Sequence, residues 1–235
     1  MCYDVAAVPP FFGPPATAVA SAGAIALRAG DGAEVRAFRA LPEQASGVGV
    51  LVLPDIRGLA GFYETLTVRL AEQGHPAVAV DYYARGGITP AGIDADITAG
   101  ITALADGGAA AVATLGFCYG GRQAFRTAAP RFGVAAAVGF YGYPEAIGGA
   151  PGPRQLAGGL TAPILGLWGG ADAHIPTEMV EAFDAALTAA GCPHAFTTYP
   201  DAPHGFFDAA ADEFADASAD AWSRVRGFLS AVPVP

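Results

Sequence analysis

The stretch "LGFCYGGRQ", residues 115–123, places a cysteine in a glycine-rich turn between an apolar run and a segment of helical period. Residues 116–120 match the pattern G-x-S-x-G with Cys118 in the serine position, a pattern typical of a nucleophile on a sharp strand-to-helix turn. Glycines leave room at such a turn, and the N-terminus of the following helix favours a thiolate. The alternative is a small, buried and unreactive Cys118, because free cysteine is among the most buried residue types.

Around this stretch, short apolar runs alternate with segments of helical period, which predicts buried parallel strands joined by helices. Two alternating runs at residues 24–29 and 33–40 predict an antiparallel hairpin around residues 30–32. The pattern predicts an α/β fold with a mainly parallel central sheet of about eight strands and helices on both faces. The other predicted strands cover residues 48–53, 76–83, 110–117, 134–142, 163–170 and 195–200.

Length and composition indicate a globular protein. The 235 residues, of which 53% are hydrophobic and 14% charged, exclude a disordered chain and contain nothing resembling a linker or a repeat. We therefore expect a single domain over residues 1–235, with a Pro- and Ala-rich N-terminal arm over residues 1–20. No apolar stretch is long enough to span a membrane and the start does not resemble a signal peptide, so we expect a soluble, cytoplasmic protein.

Charge and cysteine content narrow the expected partners. The formal net charge is -10 without a basic cluster, which disfavours nucleic acid and anionic membranes as partners. The three cysteines are widely spaced and form no C-x-x-C pair, which argues against disulfides and a structural zinc site. We expect a small-molecule substrate and neither metal nor organic cofactor. A monomer and a homodimer are both compatible with the sequence.

Two further residues complete a candidate catalytic triad. Ligands of open α/β sheets bind beyond the carboxyl ends of the strands, where Cys118, Asp172 and His204 are each predicted to lie. Taken alone, Asp172 could be a helix cap or turn residue, and His204 an exposed surface residue. Their chain order of nucleophile, acid and base is nevertheless that of the α/β-hydrolase fold, with Asp172 orienting His204 as the base.

The motifs "PDIRG", "DYYARGG", "GFCYGG", "GGAD" and "APHGFFD" together resemble the dienelactone hydrolase family, over most of the chain from residue 48 to the terminal helix. The resemblance implies an α/β-hydrolase with a Cys-His-Asp triad, in which Cys118 attacks an ester or lactone carbonyl to give a thioester. The backbone N–H groups of Ile56 and Tyr119 would then form the oxyanion hole.

The resemblance also implies roles for charged residues near the nucleophile. Asp55 occupies the position of a family glutamate that interacts with the resting thiol and gates it. Arg85 matches an arginine that holds the substrate carboxylate. Asp208 stands where a second such arginine is expected, and Arg57 and Arg122 are near enough in sequence to replace it. An acid at this position would repel an anionic substrate.

The sequence thus predicts a carboxylic ester hydrolase that cleaves a small ester or lactone, with dienelactone (carboxymethylenebutenolide) as the substrate that the resemblance implies. Asp208 favours the alternative of a general carboxylesterase or thioesterase for neutral substrates. Two other functions are weaker alternatives: a non-catalytic binding or redox-sensing module in which Cys118 is oxidised, and a scaffold in which it is simply buried.

Overall fold

A computed structural model describes residues 7–10, 13–85 and 88–234 of the chain. Part of the predicted N-terminal arm, together with Cys2, lies outside the described residues. The first strand begins at Val19, inside the range predicted for the arm, because Val19 already pairs with Pro42 of the next strand. The described residues from 13 to 18 belong to no helix or strand.

The eight strands of the described residues form one sheet in the order β1-β2-β4-β3-β5-β6-β7-β8. β1 and β2 form an antiparallel hairpin, β2 pairs antiparallel with β4, and the remaining neighbours are parallel. The predicted α/β architecture is confirmed. The strands are β1 (Val19–Arg28), β2 (Glu34–Pro42), β3 (Val48–Leu53), β4 (Ala77–Val80), β5 (Ala111–Phe117), β6 (Ala136–Phe140), β7 (Ile164–Gly169) and β8 (His194–Tyr199).

Helices cover both faces of the sheet, so the central strands are buried on both sides. In β3, Val50 and Val52 belong to one apolar cluster, whereas Leu51 and Leu53 belong to another. This alternation follows from the period of two along a strand and explains why the run has no polar positions. The helices are α1 (Gly61–Glu72), α2 (Pro90–Asp106), α3 (Tyr119–Thr127), α4 (Pro153–Leu156), α5 (Thr177–Ala190) and α6 (Ala215–Ser230).

The glycine and proline content of residues 143–160 predicts an irregular loop that overhangs a site, but the segment is partly regular. It contains α4 and a short 3₁₀ turn over Ala157–Gly159. Pro153 stands at the first helical position, where its missing N–H costs nothing, and the side chain of Gln155 accepts a hydrogen bond from the N–H of Gly152 at 2.9 Å. Local capping therefore outweighs the glycine and proline content of the segment.

The lengths and compositions of the described helices also bear on membrane insertion. None of these helices combines the length and the apolarity needed to cross a membrane.

Candidate active site

Cys118 lies on a sharp turn between β5, which ends at Phe117, and α3, which begins at Tyr119. Its φ of 53° is in the left-handed region, which side chains rarely adopt and which is a strained conformation typical of functional sites. The turn is possible because its neighbours are glycines: a Cβ at Gly116 would lie 2.0 Å from the carbonyl oxygen of Gly120, and one at Gly120 would lie 1.9 Å from that of Leu53. The G-x-C-x-G spacing is therefore a steric requirement of this turn.

Asp172 and His204 are joined by a short hydrogen bond. The chain places Asp172 just after β7 and His204 between β8 and α6, and Asp172 Oδ2 lies 2.6 Å from His204 Nδ1. The other carboxylate oxygen, Oδ1, accepts hydrogen bonds from the N–H groups of His174 at 2.8 Å and Ile175 at 3.3 Å. Both oxygens are thus fixed, and Asp172 acts as a turn residue and as the partner of His204 at once.

His204 also contacts the cysteine. Burial lowers the pKa of the His204 ring, but hydrogen bonds with Asp172 and Cys118 outweigh this effect and raise that pKa to about 10. The ring of Tyr141 packs against the imidazole with 4.8 Å between ring centroids. The structure therefore brings Cys118, His204 and Asp172 together in the order that a nucleophile, a proton carrier and an orienting acid require.

A cavity of about 460 Å³ opens over Cys118 and His204. This volume is in the usual range for small-molecule sites. Ile56 and Tyr119, the two predicted oxyanion-hole residues, both line it, and Tyr119 is the first residue of α3, where an N–H has no acceptor within the helix. The other lining residues are Asp55, Arg122, Tyr141, Tyr143, Ile147, His174, Ile175, Gly205 and Asp208.

The acids Asp55 and Asp208 share one buried arginine. Arg57 donates from Nε to Asp55 at 2.7 Å and from a terminal nitrogen to Asp208 at 2.8 Å, and its backbone N–H also donates to Asp55 at 2.8 Å. Burial raises the pKa of Asp208 above its usual value. The hydrogen bond from Ala209 and the charge of Arg57 lower this pKa but offset only part of the effect of burial. The structure therefore places Arg57 between two carboxylates at the cavity wall and holds Asp55 by Arg57.

Arg85 does not reach the cavity. Its guanidinium pairs with Asp96, with Nε at 2.9 Å from one carboxylate oxygen, and with Asp31 at 2.5 Å. The side chains of Asp96 and Arg85 are 1% and 14% exposed, so this ion pair lies largely below the surface, between α2 and the β1–β2 turn. The structure thus does not bring Arg85 to the other predicted site residues.

Arg122 lies at the cavity, one helical turn after Cys118. It is buried and donates hydrogen bonds to the carbonyl oxygens of Tyr143 at 3.0 Å, Pro151 at 3.3 Å and Glu145. These three carbonyls belong to the segment over residues 143–160, from which Tyr143 and Ile147 line the cavity. Arg122 therefore positions this segment as well as lining the site.

Sequence reasoning missed the Arg57–Asp208 contact and did not single out Tyr143 and Ile147, which line the cavity from the segment over residues 143–160. Arg57 and Asp208 are 151 positions apart, and the motif comparison treats each separately, so no local signal joins them. The best available signal was the pair of departures from the family pattern: Asp208 stands where an arginine is expected, and Arg57 is an arginine that could take its place. Among the described residues, no group of three or more His, Cys, Asp or Glu side chains is arranged to hold a metal ion.

Comparison with known proteins gives one consistent family. Residues 35–232 match the model of the dienelactone hydrolase family. A Yersinia pestis protein named "Putative carboxymethylenebutenolidase" is 32% identical over 237 residues, covering 87% of this chain and 88% of that protein. The carboxymethylenebutenolidase of Rhodococcus opacus is 29% identical over 218 residues, which cover 82% of this chain and 84% of that protein. A Klebsiella pneumoniae crystal structure titled "Putative Dienelactone Hydrolase" superposes with a TM-score of 0.78 at 30% identity, covering 91% of this chain and 99% of that one.

Proposed function

The chain belongs to the dienelactone hydrolase family, and from that membership we propose that it hydrolyses small esters or lactones through a Cys118–His204–Asp172 triad and a thioester intermediate. The observation that carries the proposal is the contact of His204 with both Cys118 and Asp172, at the floor of a cavity. The positive φ of Cys118 supports it, since strain of this kind is kept where it serves function.

The reaction begins with His204 carrying a proton beside the Cys118 thiolate, consistent with its raised pKa. The sulfur attacks the carbonyl carbon, and the oxyanion of the tetrahedral intermediate accepts hydrogen bonds from the N–H groups of Ile56 and Tyr119. As the carbon–oxygen bond to the leaving group breaks, the imidazolium gives its proton to the leaving oxygen. A thioester on Cys118 and a neutral imidazole remain.

Hydrolysis of the thioester regenerates the enzyme. Neutral His204 takes a proton from a water molecule, the resulting hydroxide adds to the thioester carbonyl, and the sulfur leaves as a thiolate. Asp172 keeps the Nδ1 proton of the ring in place through both steps and stabilises the imidazolium. The products are a carboxylic acid and an alcohol, or a single hydroxy acid or its keto tautomer when the substrate is a lactone.

The ion pair that starts this sequence can be tested by thiol alkylation. In a Cys2→Ala, Cys192→Ala background, where Cys118 is the only thiol, we expect His204→Ala to slow iodoacetamide alkylation at pH 7 by about tenfold or more, because an isolated cysteine is only a few per cent thiolate there. His194→Ala, which removes a partly buried histidine elsewhere, should leave the rate unchanged. Equal alkylation rates in the two histidine variants would contradict the proposed ion pair.

The thioester intermediate can be tested separately. After reaction with p-nitrophenyl acetate, mass spectrometry should detect an acetyl group on Cys118.

The charges around the cavity favour a second candidate, a carboxylesterase or thioesterase for substrates that are neutral near the reacting carbonyl. Arg57 is held by two carboxylates and Arg85 by two others, whereas Asp55 and Asp208 line the cavity. A carboxylate close to the scissile bond would therefore face Asp55 and Asp208, whereas Arg122, which also lines the cavity, donates its hydrogen bonds to backbone carbonyls. Dienelactone carries such a carboxylate.

We expect Asp208→Asn to raise the ratio of kcat/KM for dienelactone over kcat/KM for p-nitrophenyl acetate by about three- to tenfold, because one negative charge leaves the cavity wall. Asp212→Asn removes the same charge from an exposed position of the same segment and should leave the ratio unchanged. An unaltered ratio in Asp208→Asn would mean that Asp208 does not act on substrate charge.

A further inference from the structure

A second concavity adjoins the catalytic cavity and shares one wall with it. Its volume is about 370 Å³, and Tyr119, Arg122 and Ile147 line both spaces. We refer to this second space as the arginine groove. It is also lined by Pro90, Ile93, Gln123, Arg126, Arg131, Ala150, Pro151 and Leu156.

The arginine groove concentrates positive charge in an acidic protein. Arg122, Arg126 and Arg131 line it, and none of its lining residues is Asp or Glu, although the whole chain has a net charge of -10. Arg126 and Arg131 share one carboxylate, that of Asp94, at 3.1 Å and 2.9 Å. Asp94 is not among the residues that line the groove. Two of the three guanidinium groups therefore share one carboxylate and the third, that of Arg122, binds backbone carbonyls, which leaves an excess of positive charge.

The excess of positive charge is energetically unfavourable at Arg122, because this guanidinium is taken out of water. Arg122 is buried, and its hydrogen bonds in the described part of the chain go to three backbone carbonyls. The charge of Glu145 also acts on it, but that carboxylate is paired with Arg154. Burial lowers the pKa of Arg122, and repulsion from Arg126 lowers it further. A buried cation beside a second cation is stabilised by an anion between them, because a charge taken out of water needs a partner. The groove thus has the electrostatic character of an anion site.

We infer that the arginine groove binds an anionic group, a carboxylate or a phosphate, at the end of the substrate's acyl chain remote from the ester that Cys118 cleaves. This inference rests on the proposed function. Because Tyr119, Arg122 and Ile147 line both spaces, the two lie side by side, and a molecule that extends across these residues would place its ester over Cys118 and its charged end beside Arg126. The apolar residues of the groove, among them Ile93 and Leu156, suit the methylene chain between the two groups. Planar guanidinium groups bind both carboxylate and phosphate in a bidentate manner.

Two esters with the same acyl length test the inference: the mono-p-nitrophenyl ester of adipate, with an anionic end, and p-nitrophenyl hexanoate, with a neutral one. We expect the double variant Arg126→Gln, Arg131→Gln to lower the adipate-to-hexanoate ratio of kcat/KM by about tenfold, with hexanoate hydrolysis unchanged. The control is Arg224→Gln, Arg226→Gln, which removes two charges from exposed positions of α6 and should keep the ratio of the wild type. A ratio unaltered in the groove variant, or lowered equally in both variants, would overturn the inference.

A binding measurement separates this inference from the proposed function. Hexyl phosphate and hexanoate, neither of which carries a carboxylic ester bond, are titrated into the wild type and both double variants by calorimetry, and the tighter of the two identifies the anion. Binding to the wild type that weakens about tenfold only in the groove variant supports the arginine groove, even if neither p-nitrophenyl ester is hydrolysed and the proposed function fails. No binding of either compound to the wild type overturns it, even if p-nitrophenyl hexanoate is hydrolysed in a Cys118-dependent way.

Discussion

Replacing Cys118 by alanine is expected to lower kcat/KM for p-nitrophenyl acetate by about 10⁴-fold or more, to the rate that the cavity and oxyanion donors supply without a nucleophile. Cys118 lies on the turn between β5 and α3, and its sulfur contacts His204. Its removal therefore leaves no nucleophile at this position. Cys118→Ser should lie between the two, since a hydroxyl is a weaker nucleophile than a thiol beside the same histidine. Steady-state rates at equal protein concentration measure the effect.

The matched control for this experiment is Cys192→Ala. Cys192 is also a free cysteine, but it is buried, it follows α5, and its sulfur donates to the carbonyl oxygen of Ala162 at 3.6 Å, away from the cavity. The control should retain the activity of the wild type, and circular dichroism should show that both variants are folded. Activity of Cys118→Ala within tenfold of the wild type would remove Cys118 as the nucleophile and return it to the role of a buried apolar residue.

The fold could be predicted from the sequence because its signals are local. Continuous apolar runs mark strands buried on both faces, and the run at residues 48–53 agrees with β3 at both ends. The run at residues 76–83 is longer than β4, because Tyr82 and the residues around it continue the apolar core after the ladder with β3 has ended. Hydrophobicity reports burial, and hydrogen bonding within the sheet decides where a strand ends.

The charged residues of the site were harder to predict because their partners are distant in sequence. The motif marks Arg85 as a candidate for binding the substrate carboxylate. It does not show that Asp31 and Asp96 already form ion pairs with this arginine. Likewise, nothing in the sequence around Asp208 shows that the fold places Arg57 beside it. The triad residues were better candidates, since Cys118 directly follows β5, Asp172 and His204 lie in the loops after β7 and β8, and the carboxyl ends of parallel strands converge. Their catalytic roles remain predictions.

Replacing Asp172 by asparagine is expected to lower kcat/KM by about 10³- to 10⁴-fold, the range typical of this change in hydrolytic triads. The N–H groups of His174 and Ile175 both donate to Oδ1, so the asparagine oxygen has to occupy that position. Its NH₂ group then faces Nδ1 of His204, where the carboxylate oxygen now lies at 2.6 Å. An NH₂ donor at Nδ1 forces the ring proton onto Nε2, the nitrogen that has to exchange a proton with Cys118 and with water.

This substitution preserves the size and the backbone contacts of Asp172, so its effect reports the tautomer of His204 and not a loss of folding. Asp184→Asn is the matched control, because Asp184 accepts a similar contact from the ring of His194 at 3.1 Å on the exposed side of α5. The control should keep full activity and Asp172→Asn should keep the melting temperature of the wild type within a few degrees. A wild-type kcat/KM in a folded Asp172→Asn would show that His204 is oriented by Cys118 and Tyr141 alone, and the catalytic unit would then be a dyad.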